Sequence, residues 1–400
     1  MELQPVPFNM EAVFAKRKKK KRKKQIKKLY GQNSPLYKAT WPMIYVIQVF
    51  GYAPYNLSQD RLMPSNNMLF TVIAIILYTY IFCVVFVSYL NIKRESRTLD
   101  GTETTKVVMN YSILLYELGL AVFTRRSFVR IWNALQDYDE EIRQLGYPRK
   151  ETRTAIGAWI VVIVCTVTWI AINHTGMYAF TENWTYNVGY MLLYISTSMA
   201  LYKFVAVAIF LGQRFQHLNT IAKKNLPSVE GRESAISKKT ILDLHNDLMI
   251  TAENLESLYS WSLLFWLGNL TLHTISNIYF IIQWIIIKQW NVISWGLVSC
   301  LSLWSLAFFI QLLLLHVACD FASFQANCFG AIMVEWQARQ MKKTDQESVE
   351  LLLQFLNRRL KFSAGGCFYV NLSLLRSIAS LTTTYLVILL QFNERTPTIK

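Results

Sequence analysis

Seven long apolar stretches constrain the fold of this chain more than any other feature of its sequence. A helix needs about 20 apolar residues to cross the hydrocarbon core of a membrane, and every one of these stretches reaches that length. Only 16 % of the 400 residues are charged, whereas a soluble protein carries about 25 %. The sequence therefore predicts an all-α membrane protein with seven transmembrane helices in one bundle, at residues 68–91, 105–125, 155–174, 188–212, 260–287, 294–318 and 366–392.

A shorter apolar stretch, Trp41 to Tyr55, precedes the first of the seven. It is interrupted by Pro42, Gly51 and Pro54. Helix breakers at both ends leave too few residues to cross a membrane. We therefore predict an N-terminal re-entrant or interfacial helix at 41–56, because an eighth crossing would place both termini on the same side.

Positive charge is concentrated near the N-terminus. The segment Lys16–Lys28 holds eleven of the 41 Lys and Arg residues, and the formal net charge of the chain is +16. In a soluble protein such a run indicates nuclear targeting or nucleic-acid binding. In a membrane protein it is typical of a juxtamembrane tail drawn to anionic lipid of the inner leaflet. We favour contact with membrane lipid and predict no nucleic-acid partner.

The distribution of Lys and Arg among the loops predicts the orientation, because these residues are enriched on the cytoplasmic side. With the N-terminus inside and seven crossings, the cytoplasmic segments hold thirty-two basic residues and the extracellular segments hold six. The C-terminus then lies outside. This topology is the reverse of that of a G-protein-coupled receptor, and the chain also lacks the Asp/Glu-Arg-Tyr and Asn-Pro-x-x-Tyr motifs of that class.

These assignments divide the chain into eight predicted segments. In order they are a cytoplasmic polybasic tail, the re-entrant helix, the first to fourth transmembrane helices with the ligand pocket, a cytoplasmic helical linker, the fifth and sixth helices, a cytoplasmic anchor segment, a pore-lining seventh helix and an extracellular tail. Their bounds are 1–40, 41–56, 57–212, 213–259, 260–318, 319–365, 366–392 and 393–400.

No pattern in the sequence indicates catalysis, a cofactor or a metal. The five histidines are scattered, no cysteine pair has zinc-ligand spacing, and there is no Gly-rich phosphate loop. We therefore predict a protein that is not an enzyme. The predicted extracellular loop around Asn183 has no Lys or Arg and carries the acceptor pattern Asn183-Trp-Thr, which makes Asn183 a candidate glycosylation site.

Several polar and aromatic residues lie within the predicted spans, where polar groups are costly and need a partner, a cavity or a function. Aromatic walls with a few polar groups suit a small neutral ligand that carries hydroxyl groups or rings. An aromatic belt with hydrogen bonds between helices would explain the same residues. The candidate ligand-binding residues are Asn110, Glu117, Trp169, Tyr194, Thr197, Asn277, Gln283, Trp284 and Trp295.

Lys203 stands midway along the fourth predicted span, and that span contains no acidic residue. A lysine in this position can snorkel towards the inner interface. It can also pair with Glu117 of the second span, and the sequence leaves both alternatives open.

The last span carries a stripe of residues that suits a pore. Steps of three or four residues place Thr384, Ile388, and Gln391 or Phe392 on one face of a helix. A pore that closes with apolar side chains and conducts past polar ones needs such a mixture. Ordinary helix packing produces the same pattern.

The end of the chain resembles the terminal signature of insect gustatory receptors. Thr384-Tyr385 is followed by five apolar residues and then by Gln391-Phe392. Three other stretches are similar to the family: Tyr45 to Pro54 before the first crossing, Arg214-Phe215 with Leu218-Asn219 after the fourth, and Leu242 to Ser257 before the fifth.

This resemblance implies a gustatory receptor that acts as a tastant-gated, non-selective cation channel in the plasma membrane of a chemosensory neuron. It implies a homotetramer around a shared central pore and leaves hetero-assembly with related receptors open. Phe392 would be the hydrophobic gate and Gln391 the polar residue presented on opening, with Thr384 and Ile388 lining the pore below them. The ligand would lie within one subunit, in the outer half of the helix bundle.

The chain departs from the largest group of sugar receptors, which have Glu after the signature Tyr where this chain has Leu386. Fructose-type and bitter-type members remain open, and we expect a neutral or weakly basic ligand. An odorant-receptor-like subunit that needs a partner is the main alternative. A secondary transporter is disfavoured because no helix repeat is found and no Pro falls within the seven spans.

Overall fold

The computed structural model describes residues 35–58, 61–65, 68–90, 97–180, 184–226, 236–287, 295–339 and 357–394. Within these ranges the chain is mostly helical. The helices are α1 (Pro35–Val49), α2 (Leu69–Leu90), α3 (Arg97–Phe123), α4 (Arg125–Gln144), α5 (Thr152–Phe180), α6 (Trp184–Lys224), α7 (Lys238–Ile287), α8 (Trp295–Asn327), α9 (Phe329–Arg339) and α10 (Leu372–Glu394).

Two short antiparallel hairpins accompany the helices. Strands β1 (Tyr55–Ser58) and β2 (Arg61–Pro64) follow α1, with Tyr55 opposite Pro64. Strands β3 (Ser363–Ala364) and β4 (Phe368–Tyr369) precede α10, with Ser363 opposite Tyr369. Each hairpin thus joins a helix end to the bundle. The polybasic segment Lys16–Lys28 and the glycosylation candidate Asn183 lie outside the described residues.

Each of the seven predicted spans overlaps one of the long helices. By length and composition, five helical segments of the described chain could cross a membrane: Leu69–Ser88, Thr104–Phe123, Thr152–Ala179, Asn187–Lys224 and Trp295–Arg339. The apolar part of α10, Leu372–Ile388, is shorter. The predicted number of seven crossings therefore stays a prediction.

Three of the predicted segment boundaries, at 212, 259 and 318, do not coincide with helix ends. Helix α6 continues without a break to Lys224, α7 runs through the predicted linker into the fifth span, and α8 continues to Asn327. Beyond residue 212, α6 keeps burying apolar side chains at helical spacing, at Phe215, Leu218 and Ala222. Hydropathy marks where a helix can cross lipid, whereas the helix itself continues as long as one face stays packed.

The N-terminal helix has bounds that differ from the predicted segment 41–56. Helix α1 begins at Pro35, contains Pro42 in its interior and ends at Val49. Leu36, Ala39, Met43, Ile44 and Ile47 bury one face on both sides of Pro42. This burial offsets the hydrogen bond that Pro42 cannot make.

The chain turns sharply after α1 at Gly51. Its φ of +87° is a conformation that side-chain-bearing residues rarely adopt. A Cβ there would also lie 2.7 Å from the Cβ of Ala74. The Thr71 hydroxyl donates a hydrogen bond of 3.0 Å to the Gly51 carbonyl, so this turn is fastened directly to α2.

Helix α10 begins at Leu372, six residues after the predicted start of the seventh span. Gly365 and Gly366 both have positive φ, at +58° and +74°, and form the turn between β3 and β4. The Asn371 side chain then accepts a hydrogen bond of 2.8 Å from the Leu374 backbone N–H. Asn371 therefore caps the helix in the usual manner of an Asn at this position.

Helix α6 is the centre of the bundle and contacts α8 most extensively, with α7, α2, α3 and α5 around it. The closest approach is at Gly212. A Cβ on this residue would lie 2.5 Å from the Phe321 ring and 3.1 Å from the Ala322 Cα atom of α8. The absence of a side chain at Gly212 thus lets the two helices meet.

We expect Gly212→Ala to lower the free energy of unfolding by about 1–2 kcal/mol, because the overpacking cost exceeds the gain in helix propensity. The matched control is Gly119→Ala in α3, where a Cβ would meet nothing within 4 Å. Thermal denaturation of the purified protein in detergent provides the measurement. Equal midpoints for the two variants would contradict the close approach.

Candidate functional site

A narrow cavity lies inside the bundle between α3, α6, α7 and α8. It occupies about 240 Å³ including its mouth, but its interior has room for about one water molecule. The side chains that line it are all neutral: Asn110, Tyr194, Thr197, Ser198, Leu201, Trp266, Asn269, Leu270, Phe308 and Gln311.

Three buried polar atoms of the lining have no hydrogen-bond partner among the described residues. They are Nε1 of Trp266, Oδ1 of Asn269 and Nε2 of Gln311, and each of these side chains is at most 3 % exposed. A buried polar group without a partner costs about 1–3 kcal/mol. The cavity thus offers two N–H donors and one carbonyl acceptor that a ligand or water can satisfy.

In the Asn269 and Gln311 side chains, the second polar atom of each amide is hydrogen-bonded to a neighbouring helix. Asn269 donates a hydrogen bond of 3.3 Å from Nδ2 to Asn110 Oδ1, and Asn110 donates one of 3.4 Å to the Leu193 carbonyl. Gln311 accepts a bond of 3.2 Å from the Ser198 hydroxyl. These bonds orient the unpaired atoms, so the polar groups of the cavity are held in place before any ligand arrives.

One side of the cavity is a wall of aromatic rings. The Tyr194 ring lies 5.0 Å from Trp304, 5.1 Å from His273 and 5.9 Å from Phe308, measured between centroids. Trp169 packs edge-on against Trp304 at 5.3 Å. Most of these contacts have edge-to-face geometry, which is favourable for aromatic pairs. Tyr194 and Phe308 of this cluster line the cavity and give it flat apolar surface.

A buried lysine stands behind the cavity. Nζ of Lys106 donates hydrogen bonds of 3.1 Å to Asn277 Oδ1 and 3.3 Å to Ser276 Oγ, and it lies 5.7 Å from the Phe280 ring centroid. Lys106 stands one turn of α3 before Asn110 of the cavity lining, so it brings positive charge near that end of the cavity. This arrangement favours a neutral ligand over a basic one.

The structure brings only some of the predicted ligand-binding residues together. Asn110, Tyr194 and Thr197 line the cavity. Trp169 does not line it but packs against the Trp304 ring, and Asn277 accepts a hydrogen bond from Lys106. Glu117 does not belong to the lining, and Trp295 is 62 % exposed. The side chains of Gln283 and Trp284 lie outside the described residues.

Sequence reasoning missed the residues that α7 and α8 contribute. Trp266 and Asn269, which line the cavity, and His273, whose ring packs against Tyr194, recur at helical spacing on α7, and Phe308 and Gln311 do so on α8. An amide or imidazole inside an apolar span is the signal that could have found three of them. The part of the chain that the structure describes has no cluster of three or more metal-ligating side chains.

The predicted pore residues lie on α10, a helix with many exposed side chains. Thr384, Ile388 and Gln391 are exposed, as are the apolar side chains of Leu381 and Val387. The Phe392 side chain lies outside the described residues. An apolar helix of this kind needs lipid or another protein surface against it.

The sequence matches a family model described as 7tm Chemosensory receptor over residues 41–395. Two proteins of Drosophila melanogaster align with parts of the chain. The "Gustatory receptor for sugar taste 43a" is 28 % identical over 179 residues, 44 % of this chain and 41 % of that protein. The "Putative gustatory receptor 2a" is 36 % identical over 90 residues, 22 % of this chain and 21 % of that protein. The chain thus aligns with less than half of either relative.

Two solved structures of the insect olfactory receptor OR5 from Machilis hrabei are similar in fold. The first has a TM-score of 0.61 and 14 % identity, over 90 % of this chain and 100 % of that one. The second is the complex with eugenol, with a TM-score of 0.65 and 15 % identity over 89 % and 98 %. At this level of identity the likeness concerns the fold alone.

Proposed function

The chain belongs to the 7tm chemosensory receptor family, and on this premise we propose that it is a gustatory receptor acting as a tastant-gated, non-selective cation channel. Family membership confirms the resemblance drawn from the terminal signature, and makes the chain a multi-pass membrane receptor rather than an enzyme. One observation carries the proposal of ligand gating. It is the cavity inside the bundle, which is lined by three buried side chains with unpaired polar atoms and by the rings of Tyr194 and Phe308.

The proposed ligand is small, neutral and hydroxyl-bearing. Its hydroxyl oxygens would accept hydrogen bonds from Trp266 and Gln311, and a hydroxyl hydrogen would be donated to Asn269. An apolar face would lie against Tyr194 and Phe308. The name of one Drosophila relative assigns that protein to sugar taste, which supports a sugar-type ligand here. A bitter-type ligand is the alternative.

The proposed channel is a homotetramer in the plasma membrane of a chemosensory neuron, with the N-terminus inside and the C-terminus outside. Four copies of α10 would surround the pore, with Thr384, Ile388, Gln391 and Phe392 facing it. The exposed apolar surface of α10 supports this arrangement, because the helix has too few contacts within its own subunit to cover its side chains. Permeating cations would pass this ring.

Gating follows from the size of the cavity. Since its interior holds about one water molecule in this conformation, an agonist must bind a wider state of the bundle. An agonist shifts an equilibrium only by the difference between its affinities for the two states. Widening between α7 and α8 would move α10, which packs against both helices, and would open the ring of Phe392 side chains to water.

Whole-cell current from this chain expressed alone tests the proposal, with a panel of sugars and bitter compounds. We expect an agonist-evoked cation current from the wild type. We expect Phe392→Ala to raise the resting current about fivefold or more, since about 1 kcal/mol in the balance of closed and open states has that effect.

Val387→Ala is the matched control for the gate, because Val387 is exposed on α10 but lies about 140° around the helix from Phe392. A wild-type current that Phe392→Ala leaves unchanged would remove Phe392 as the gate and keep the channel. Silence of the chain alone, rescued by a co-expressed relative, would favour the alternative of an odorant-receptor-like subunit. The similarity in fold to an olfactory receptor is the observation behind that alternative.

A further inference from the structure

A second cavity lies away from the first, between α1, the hairpin β1–β2, α4 and α6. It occupies about 310 Å³ including its mouth, and its interior has room for about one or two water molecules in this conformation. Tyr55 and Lys203 are the polar residues of its lining. The other lining residues are apolar or aromatic: Met43, Ile44, Ile47, Ala53, Leu62, Phe128, Trp132 and Val207. None of these ten residues belongs to the lining of the first cavity.

Lys203 is held at the wall by groups without a formal charge. Its Nζ atom donates hydrogen bonds of 3.0 Å to the Tyr52 carbonyl and 2.7 Å to the Tyr55 hydroxyl. It lies 4.1 Å from the Phe128 ring centroid. An ammonium group has three hydrogens, so one remains after these two bonds. The Tyr55 hydroxyl accepts from Lys203, which leaves its own hydrogen for another acceptor.

The positive charge of Lys203 has no carboxylate in contact with it among the described residues. Glu117 is close enough to influence it electrostatically, but the two groups form no ion pair within 4.0 Å. The side chain of Lys203 is buried at 5 % exposure. A buried charge is costly unless it is paired, and in a membrane protein it marks a functional site.

We propose that this second cavity binds a small single-chain amphiphile with a carboxylate head. The carboxylate would accept hydrogen bonds from Lys203 and from the Tyr55 hydroxyl. The apolar chain would lie among Ile44, Ile47 and Trp132. The interior is narrow in this conformation, so the apolar chain would enter as the wall moves aside at Met43, whose side chain is unbranched and flexible. A phospholipid with two chains does not suit a cavity of this size.

An occupant here would link elements that are far apart in sequence. The carboxylate head of the amphiphile would contact α6 and β1, whereas its apolar chain would contact α1 and α4. Bound amphiphile would therefore strengthen the attachment of α1 and the hairpin to the central helix α6. This site shares no lining residue with the agonist cavity, so the proposal does not rest on channel gating.

The test uses the full-length protein in nanodiscs of zwitterionic phosphatidylcholine and a photoreactive analogue of octanoic acid. We expect labelled peptides from α1, α4 or α6, and competition by octanoate. The matching photoreactive alcohol should label these peptides about tenfold less, because a hydrogen bond to a charged group is worth about 1.5–3 kcal/mol. Equal labelling by the acid and the alcohol in the wild type would overturn the proposal without any variant.

Lys203→Met should abolish the preference for the acid, whereas Lys106→Met, a change at the buried lysine behind the first cavity, should preserve it. Size-exclusion chromatography checks that both variants fold. Retained preference in a folded Lys203→Met protein would contradict the site. Competition by anionic phosphatidylglycerol but not by octanoate would also overturn it, because the phosphate of a lipid headgroup would then be the occupant.

Discussion

Replacing Arg214 with Met should lower the free energy of unfolding by about 3–5 kcal/mol, as expected when one partner of a buried ion pair is removed. The Arg214 side chain is fully buried, and it donates a hydrogen bond to Asp139 of α4. Its other terminal nitrogen donates one of 2.9 Å to the Phe210 carbonyl. Glu151, the residue before α5, lies 3.7 Å away. The variant would leave two mostly buried carboxylates with less compensating charge.

The effect should depend on pH. Burial raises the pKa of the Asp139 carboxyl above its ordinary value, while the adjacent Arg214 acts in the opposite direction. Loss of Arg214 would raise this pKa further. The folded variant then favours protonated Asp139, so its defect relative to the wild type should be largest at neutral pH and should diminish as the pH falls through the raised pKa.

Thermal denaturation of the purified protein measures this prediction, with Arg358→Met as the control. Arg358 also forms an ion pair, with Glu253 at 2.6 Å, but the two side chains are 38 % and 46 % exposed. An exposed pair contributes about 0–1 kcal/mol. Equal destabilisation by the two variants would show that burial of the Arg214 network has no special role. The double variant Arg214→Met with Asp139→Asn should recover part of the loss.

Arg214 also illustrates what the sequence could predict about the fold. The motif Arg214-Phe215 with Leu218-Asn219 was recognised as similar to a family pattern. The structure gives its physical reason: Phe215 and Leu218 are fully buried, and Asn219 donates a hydrogen bond of 2.7 Å to the Gln325 carbonyl of α8. Hydropathy nevertheless placed the end of the span before this motif. A charged residue lowers hydropathy, whereas an ion pair across two helices lets the helix continue.

The ligand cavity was only partly predictable for a different reason. Asn110, Tyr194 and Thr197 were identified because they are polar or aromatic within spans. Trp266 and Gln311 were not, since α7 and α8 are apolar on most sides and their sequences do not say which face meets α3 and α6. The surroundings of Lys203 could not be predicted from the sequence either. The two predicted alternatives were snorkelling and pairing with Glu117. Neither included Tyr55, which the β1–β2 hairpin brings to Lys203 although the two residues are 148 positions apart.

Trp266→Phe should raise the agonist concentration for half-maximal current about three- to tenfold, the effect of losing one neutral hydrogen bond to the ligand. The change removes the indole N–H that has no partner in the cavity and keeps an aromatic ring in the same place. Stability should change little, since a buried donor without a partner is removed along with part of the ring. Dose–response curves with the agonist found in the panel provide the measurement.

Trp336→Phe is the matched control for this change. Trp336 of α9 is fully buried and its indole Nε1 also has no hydrogen-bond partner among the described residues, but it does not line the cavity. A loss of packing alone would act through both tryptophans, whereas a contact with the agonist exists only at Trp266. A shift confined to Trp266→Phe would therefore place the ligand in the cavity. Equal dose–response curves for the two variants would remove the indole of Trp266 from the ligand contacts and move the search to another part of the bundle.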